Sequence, residues 1–164
     1  MSVKLEYTTN LTATEVLETN TVSSAAASRT VKHTLLNKAA TLQASTTPPV
    51  SKVAAFEQAL TAGAATIDLT ALTGTNGAAV DGTGLKVQAI KITAKATNAN
   101  VITITKGASN GYALAGADFS VALAAGQEFV LFGNDAAPDI ASDAKTLDLA
   151  GTLAQAVQVI IVMG

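Results

Sequence analysis

The chain has 164 residues, a formal net charge of −2, 13% charged and 4% aromatic residues, one histidine and no cysteine. The length predicts one domain, with or without an attached arm. The lack of cysteine excludes disulfides and thiolate metal sites, and the small net charge indicates no nucleic-acid partner. The first residues, MSVKLEYTTN, lack the apolar run of a signal peptide, and no apolar stretch of about 18 residues is present to span a membrane.

The first third of the chain contains one clear strand pattern, followed by a long stretch in which apolar and polar residues alternate only weakly. Val3–Thr8 alternates apolar and polar residues and predicts a strand. Residues 10–47 are rich in Thr, Ser, Ala and Asn, which favours an extended arm or thin edge strands. Pro48 and Pro49 cannot donate to a strand ladder, so we place a boundary there. The prediction is an N-terminal arm or set of edge strands at residues 1–49 and a β-sandwich at residues 50–164.

Charge is distributed unevenly between the two parts. Residues 1–52 carry a net charge of +2, and residues 53–164 carry −4. The two parts could complement each other, or a basic arm could lie on an acidic neighbour. Ordinary scatter among few charges is the competing explanation.

Period-two alternation of apolar residues dominates the rest of the chain and predicts strands rather than helices. Glu57–Ala62 fits either one helical turn or more strand. The apolar register of Leu85–Ala96 shifts between Ala89 and Ile90, which indicates a β-bulge or burial on both faces. The tight turn Thr97–Asn100 predicts that the strands on either side of it form a hairpin. The predicted strands are Val50–Phe56, Thr66–Leu72, Leu85–Ala96, Val101–Lys106, Phe119–Leu123, Glu128–Phe132, Lys145–Leu149 and Ala156–Met163.

A short internal repeat bears on the topology. The residues TIDL at 66–69 and TLDL at 146–149 each precede a small-residue loop and an alternating strand. Two such units favour an all-β sandwich of Greek-key or jelly-roll type in which equivalent strands take related places. Chance similarity is the alternative for a four-residue match.

No constellation of catalytic or metal-ligating residues emerges from the sequence. His33 is the single histidine and has no carboxylate near it in the sequence. In an extended strand it would share the apolar face with Val31 and Leu35, so we expect a packed or interface histidine rather than a catalytic one. The fragments at residues 81–84 and 134–139 contain Asp and Asn but lack the ligand spacing of a calcium loop, and turn formation explains them. We therefore predict no catalytic, cofactor-binding or metal-binding residue and no cofactor.

Tyr112 is the one aromatic residue that falls in a loop rather than in a strand pattern. It is either a surface contact anchor or a side chain that covers one end of the sandwich. The few aromatic residues offer little from which to build a sugar-stacking platform.

Residues 85–164 contain the runs VQAIKITAKATNANVITITKGASNGYAL, GQEFVLF and TLDLAGTLAQAVQVIIVMG. In the pattern of these runs, the second half of the chain resembles small virion structural proteins of tailed bacteriophages. The resemblance carries no catalytic motif. It implies a β-sandwich that acts in capsid decoration or cementing, or in tails or fibres, and it carries over no site residue.

The resulting expectation is a non-enzymatic virion protein on the capsid surface that stabilises the shell. Its partners would be the major capsid protein and other copies of itself, with a trimer compatible with threefold lattice positions, and neither nucleic acid nor membrane. The alternative is a tail, fibre or cell-surface adhesion module that binds a receptor or glycan through the loops at residues 74–84 and 107–118. A hydrolase without a recognisable motif is the third interpretation.

Overall fold

The computed structural model describes residues 2–17, 29–133 and 135–164. These residues form strands, turns and loops without any helix, so Glu57–Ala62 contains the end of a strand and a turn rather than a helical turn. Within these ranges no helix is long and apolar enough to cross a membrane. The strands are β1 (Lys4–Thr9), β2 (Ala13–Leu17), β3 (Arg29–His33), β4 (Lys38–Gln43), β5 (Lys52–Ala59), β6 (Ala64–Asp68), β7 (Leu72–Thr73), β8 (Ala79–Val80), β9 (Val87–Ala94), β10 (Ile102–Lys106), β11 (Ser120–Leu123), β12 (Glu128–Phe132), β13 (Thr146–Ala150) and β14 (Ala156–Met163).

Eight of these strands form two four-stranded antiparallel sheets, which confirms the predicted β-sandwich. The strand order is β12-β9-β14-β5 in one sheet and β11-β10-β13-β6 in the other. The chain passes from one sheet to the other within each of the pairs β5–β6, β9–β10, β11–β12 and β13–β14. This connectivity is that of a jelly roll.

The core lies between the two sheets, because alternation turns one side-chain set of each strand inward. Ile90 and Ile92 of β9, Ile102 and Ile104 of β10, and Ile161 of β14 are all almost completely buried in one cluster. These residues are the apolar members of the alternating patterns. The period-two interpretation of the sequence therefore holds at the level of side-chain burial.

The predicted hairpin between the strands at 85–96 and 101–106 is wrong. β9 and β10 lie in different sheets, and each pairs with other strands. The side chain of Asn98 lies in the turn where the chain leaves the first sheet. Its Nδ2 donates to the carbonyl of Ala156 (2.9 Å) and its Oδ1 accepts from the amide of Ala156 (3.0 Å). This pair of hydrogen bonds holds the turn against the start of β14, in the sheet that contains β9.

Both explanations offered for the register shift in β9 apply. Val87 through Ile90 are consecutively buried. Ala89 pairs with Val162 of β14, whereas Val87 pairs with Met163, so Gln88 is an extra residue without a partner on β14. The strand therefore contains a bulge at Gln88, just before the predicted shift between Ala89 and Ile90, and it is covered on both faces from Val87 to Ile90.

The two repeated segments lie side by side. In the β6–β13 ladder Ile67 is opposite Leu147, and Thr66 is opposite Asp148, whose Oδ1 accepts a hydrogen bond of 2.7 Å from the Thr66 hydroxyl. The two TxDL segments are thus paired in antiparallel register and are related by a local two-fold axis.

A second apolar cluster lies on the outer face of the β12-β9-β14-β5 sheet. Val3, Leu42 and Val50 are buried there against Ala89 and Val162. Val3, Leu42 and Val50 thus cover part of the outer face of this sheet.

The chain divides into two compact units. One unit contains residues 1–5 and 42–164, and the other contains residues 6–41. The predicted domain boundary between residues 49 and 50 stays a prediction.

Candidate interaction surface

Residues 6–41 form ribbons of two strands. β1 pairs with β4, and β2 pairs with β3 in antiparallel register. Two asparagines tie the chain together where the two ribbons meet. The Asn37 Nδ2 donates to the Asn10 Oδ1 (3.0 Å), and the amide of Leu11 donates to the Asn37 Oδ1 (2.9 Å). Asparagine suits this position because its side chain offers both a donor, here to the Asn10 side chain, and an acceptor, here for the backbone amide of Leu11.

None of the described side chains in residues 6–41 is buried. The part of the chain that the structure describes has nine exposed large hydrophobic residues, and five of them lie in this unit. The five are Leu11, Val16, Val31, Leu35 and Leu36. Val16 and Val31 lie on opposite faces of the β2–β3 ribbon. Because contiguous exposed apolar residues commonly mark a binding site, we take the described part of this unit, with these five side chains, as the candidate interaction surface.

Leu35 and Leu36 occupy the two central positions of a turn. The amide of Asn37 donates to the carbonyl of Thr34 (3.1 Å), and the two leucine side chains are 99% and 91% exposed. Turns favour Gly, Pro, Asn, Asp and Ser at such positions for backbone reasons, and leucine provides none of these advantages. Leu11, whose amide binds the Asn37 side chain next to Leu36, is 80% exposed. We call Leu11, Leu35 and Leu36 the leucine cluster.

His33 lies in this unit and is exposed, so the prediction of a packed histidine is wrong within the chain. Its Nε2 is 3.6 Å from the Glu15 Oε2, with 60% and 55% of the two side chains accessible. This pair was not predictable from the sequence, because Glu15 belongs to the neighbouring strand, where it lies opposite Val31 and diagonal to His33. The interface role of His33 stays a prediction.

Tyr112 is completely buried, so of the two predicted roles the one as a surface anchor is wrong. Its hydroxyl accepts a hydrogen bond from the amide of Val87 (3.1 Å) and donates one to the carbonyl of Pro138 (2.9 Å). Burial raises the pKa of this hydroxyl, and the hydrogen bond from Val87 opposes the rise. The side chain therefore covers one end of the sandwich.

The acidic loops are organised by their own hydrogen bonds. The Asp81 Oδ1 accepts from the hydroxyl of Thr83 (2.6 Å) and from its amide (2.8 Å), and these bonds hold the pKa of Asp81 below its usual range. Asn134, part of the second predicted fragment, lies outside the described residues. In the described ranges no three His, Cys, Asp or Glu side chains are grouped so that they could hold a metal ion.

The loop at residues 107–118 borders an open depression of about 640 Å³ at the ends of β10 and β11. Its wall contains the charged side chains of Lys106, Asp118 and Asp143 and the backbone of two glycines. Phe119 is the one aromatic side chain in the wall, and all six aromatic residues of the chain are buried or half-buried. The depression thus offers polar contacts but no exposed aromatic face.

Comparison with models of protein families, with characterised proteins and with solved structures found no match for this chain.

Proposed function

We propose that this chain is a non-enzymatic structural protein of a phage virion that decorates and stabilises the capsid surface. The observation that carries the proposal is the unit of residues 6–41, which has no buried described side chain and holds five exposed large hydrophobic residues. Such a segment serves attachment better than catalysis, because its apolar side chains gain only when another surface covers them.

The energetics of the ribbons support an attachment role. An isolated two-stranded ribbon is marginally stable in water, and each ordered residue costs about 1–2 kcal/mol of backbone entropy. Full burial of one leucine returns about 1.5–3 kcal/mol. Residues 6–41 bury none of their described apolar side chains within the chain, so contacts with a further molecule are needed to offset the cost of ordering them.

The sandwich suits the role of a stable body that carries this segment. Its core is continuous between the two sheets, and the chain is poor in charge, which fits a surface packed against neighbours. The proposed partners are the major capsid protein and other copies of this chain.

The adhesion alternative draws on the loop at residues 107–118 and its depression. Sugar-binding sites commonly stack exposed aromatic rings on the ligand, and no aromatic side chain of this chain is exposed. The burial of Tyr112 removes the residue best placed in sequence to serve as such an anchor. These observations favour decoration over glycan adhesion.

The copy number of the protein in purified particles tests the proposal. Quantitative mass spectrometry should find hundreds of copies per particle if the protein decorates the capsid lattice. A few to a few dozen copies would assign it to a tail or fibre, and absence from particles would refute a structural role in the virion.

A further inference from the structure

We infer that residues 6–41 associate with the same residues of a second copy of this chain, through the leucine cluster and through opposite charges on the two halves of the unit. This inference deepens the proposed function and rests on it for the role of these residues in assembly. The test measures self-association of the purified protein in solution. The inference can therefore fail while the proposed function stands, and the reverse.

The leucine cluster supplies the apolar contact. The hydrogen bond from the Leu11 amide to the Asn37 side chain keeps Leu11 beside the turn that carries Leu35 and Leu36. Because all three side chains are more than three-quarters exposed, they make few contacts that folding requires. Leucine clusters of neighbouring copies that pack together would remove one another from water.

The strand edges supply backbone pairing. β2 and β3 form a sheet of two strands within the described residues, so each strand has one edge without a partner strand there. An open edge accepts a further strand through main-chain hydrogen bonds. Addition of one ribbon to the next would produce the larger sheet that a two-stranded ribbon needs for stability.

The charges favour the same segment as the partner. Residues 6–17 contain Glu6 and Glu15 and no Lys or Arg, whereas residues 29–41 contain Arg29, Lys32 and Lys38 and no Asp or Glu. A partner of one charge sign would attract one half of the unit and repel the other. A second copy offers both charge signs, so the acidic half of one copy can lie beside the basic half of the next.

The same charges select between two ways of joining the copies. Pairing β2 with β2 of a second copy would bring two Glu15 side chains together, and pairing β3 with β3 would bring two Lys32 side chains together. Like charges across a strand pair are destabilising, so β2 of one copy is expected beside β3 of the next. This contact is heterologous, and it builds a closed ring when the rotation between copies closes.

Sedimentation equilibrium and light scattering across a concentration series test the apolar contact. The unaltered chain should self-associate, and the triple variant L11S/L35S/L36S should weaken association by about a hundredfold or more. The matched control is L153S, because Leu153 is 80% exposed but lies outside residues 6–41. The control should associate like the unaltered chain. Circular dichroism should show the same strand content for all three proteins.

Charge reversal tests the orientation. E15K and K32E should each weaken self-association by roughly two- to fivefold, because each reversal gives a strand the same charge sign as the strand it meets. The matched control is K106E, which reverses an exposed lysine outside residues 6–41. The differences should disappear at 1 M salt, where the Debye length falls to about 3 Å.

Two results would overturn the inference. The first is a chain that stays monomeric at every concentration. The second is a leucine variant that associates as strongly as the L153S control. If the protein is monomeric in solution and the leucine variant loses binding to particles, the leucine cluster docks on the capsid. Self-association through this cluster is then refuted, while the proposed function stands. If the protein self-associates as described but is absent from particles, the inference stands and the proposed function fails.

Discussion

Replacing Tyr112 with phenylalanine isolates the contribution of one buried hydroxyl to the stability of the sandwich. The side chain has no accessible surface, and its hydroxyl joins the amide of Val87 in β9 to the carbonyl of Pro138 in the loop before β13. Phenylalanine keeps the ring and its packing and removes only the oxygen. The decrease in the free energy of unfolding therefore measures what the two hydrogen bonds contribute to stability.

The magnitude follows from what the substitution leaves behind. The amide of Val87 would remain buried without an acceptor, which costs about 1–3 kcal/mol. The carbonyl of Pro138 would lose its donor as well, and the loss of this hydrogen bond lowers the free energy of unfolding by about 0.5–1.5 kcal/mol. We expect Tyr112→Phe to lower the free energy of unfolding by about 2–3 kcal/mol near neutral pH.

The pH dependence gives the prediction a second readout. Burial raises the pKa of Tyr112 above its ordinary value of 10.0. Above pH 10 the unfolded chain releases this proton while the folded chain retains it, so folding becomes less favourable as the pH rises. The phenylalanine variant lacks this proton, so the stability difference between the two proteins should shrink above pH 10.

Urea unfolding followed by circular dichroism, repeated over a range of pH, measures both effects. The slope of unfolding free energy against urea should be the same for both proteins, because the surface exposed on unfolding hardly changes. A loss below about 0.5 kcal/mol, or a difference that stays constant above pH 10, would refute the assigned role of the hydroxyl.

Three further predictions concern other parts of the chain. Ile92→Ala and Ile104→Ala should each lower the free energy of unfolding by about 2–5 kcal/mol because both side chains are completely buried, whereas the half-exposed Ile160→Ala should cost clearly less in the same urea titration. Asn98→Ala should cost about 1–3 kcal/mol in thermal or urea unfolding because Ala156 loses two hydrogen bonds; an unchanged midpoint would contradict its role at the crossing between the sheets. His33→Gln should change stability by no more than about 0.5 kcal/mol, because its contact with Glu15 is exposed, and a larger loss would indicate packing that the structure does not contain.

The strands were largely predictable because the period-two alternation of apolar residues is visible in the sequence even when the pairing of the strands is unknown. Glu128–Phe132 and Ala156–Met163 have the same bounds in the sequence pattern and in the structure. The buried faces were also predictable, since Ile92 and Ile104 belong to the apolar side of their patterns and lie in the core. Strand bounds shifted by a few residues where turns begin, as in β6, which ends at Asp68.

The candidate interaction surface was only partly predictable. Weak patterning marked residues 10–47 as poor in core positions, and none of the described residues in the unit at 6–41 is buried. The leucine cluster was not foreseen, because Leu35 and Leu36 look like ordinary apolar residues until their turn and exposure are known. The pairing of Glu15 with His33 likewise depends on a strand register that joins residues far apart in sequence.

The sequence by itself determined the all-β class, the approximate strands and the residues that face the core, because side-chain alternation is a local property of an extended chain. Only the tertiary structure decided which strands are neighbours. The turn after β9 suits a hairpin locally, yet the chain crosses to the other sheet, and the Asn98 side chain in that turn bonds to Ala156, which lies 58 residues away. The same holds for Tyr112, whose loop position left both exposure and burial open, and whose hydrogen-bond partners at Val87 and Pro138 only the structure reveals. Hydrogen-bond partners that are distant in sequence leave no periodic signal, so the folded chain alone reveals them.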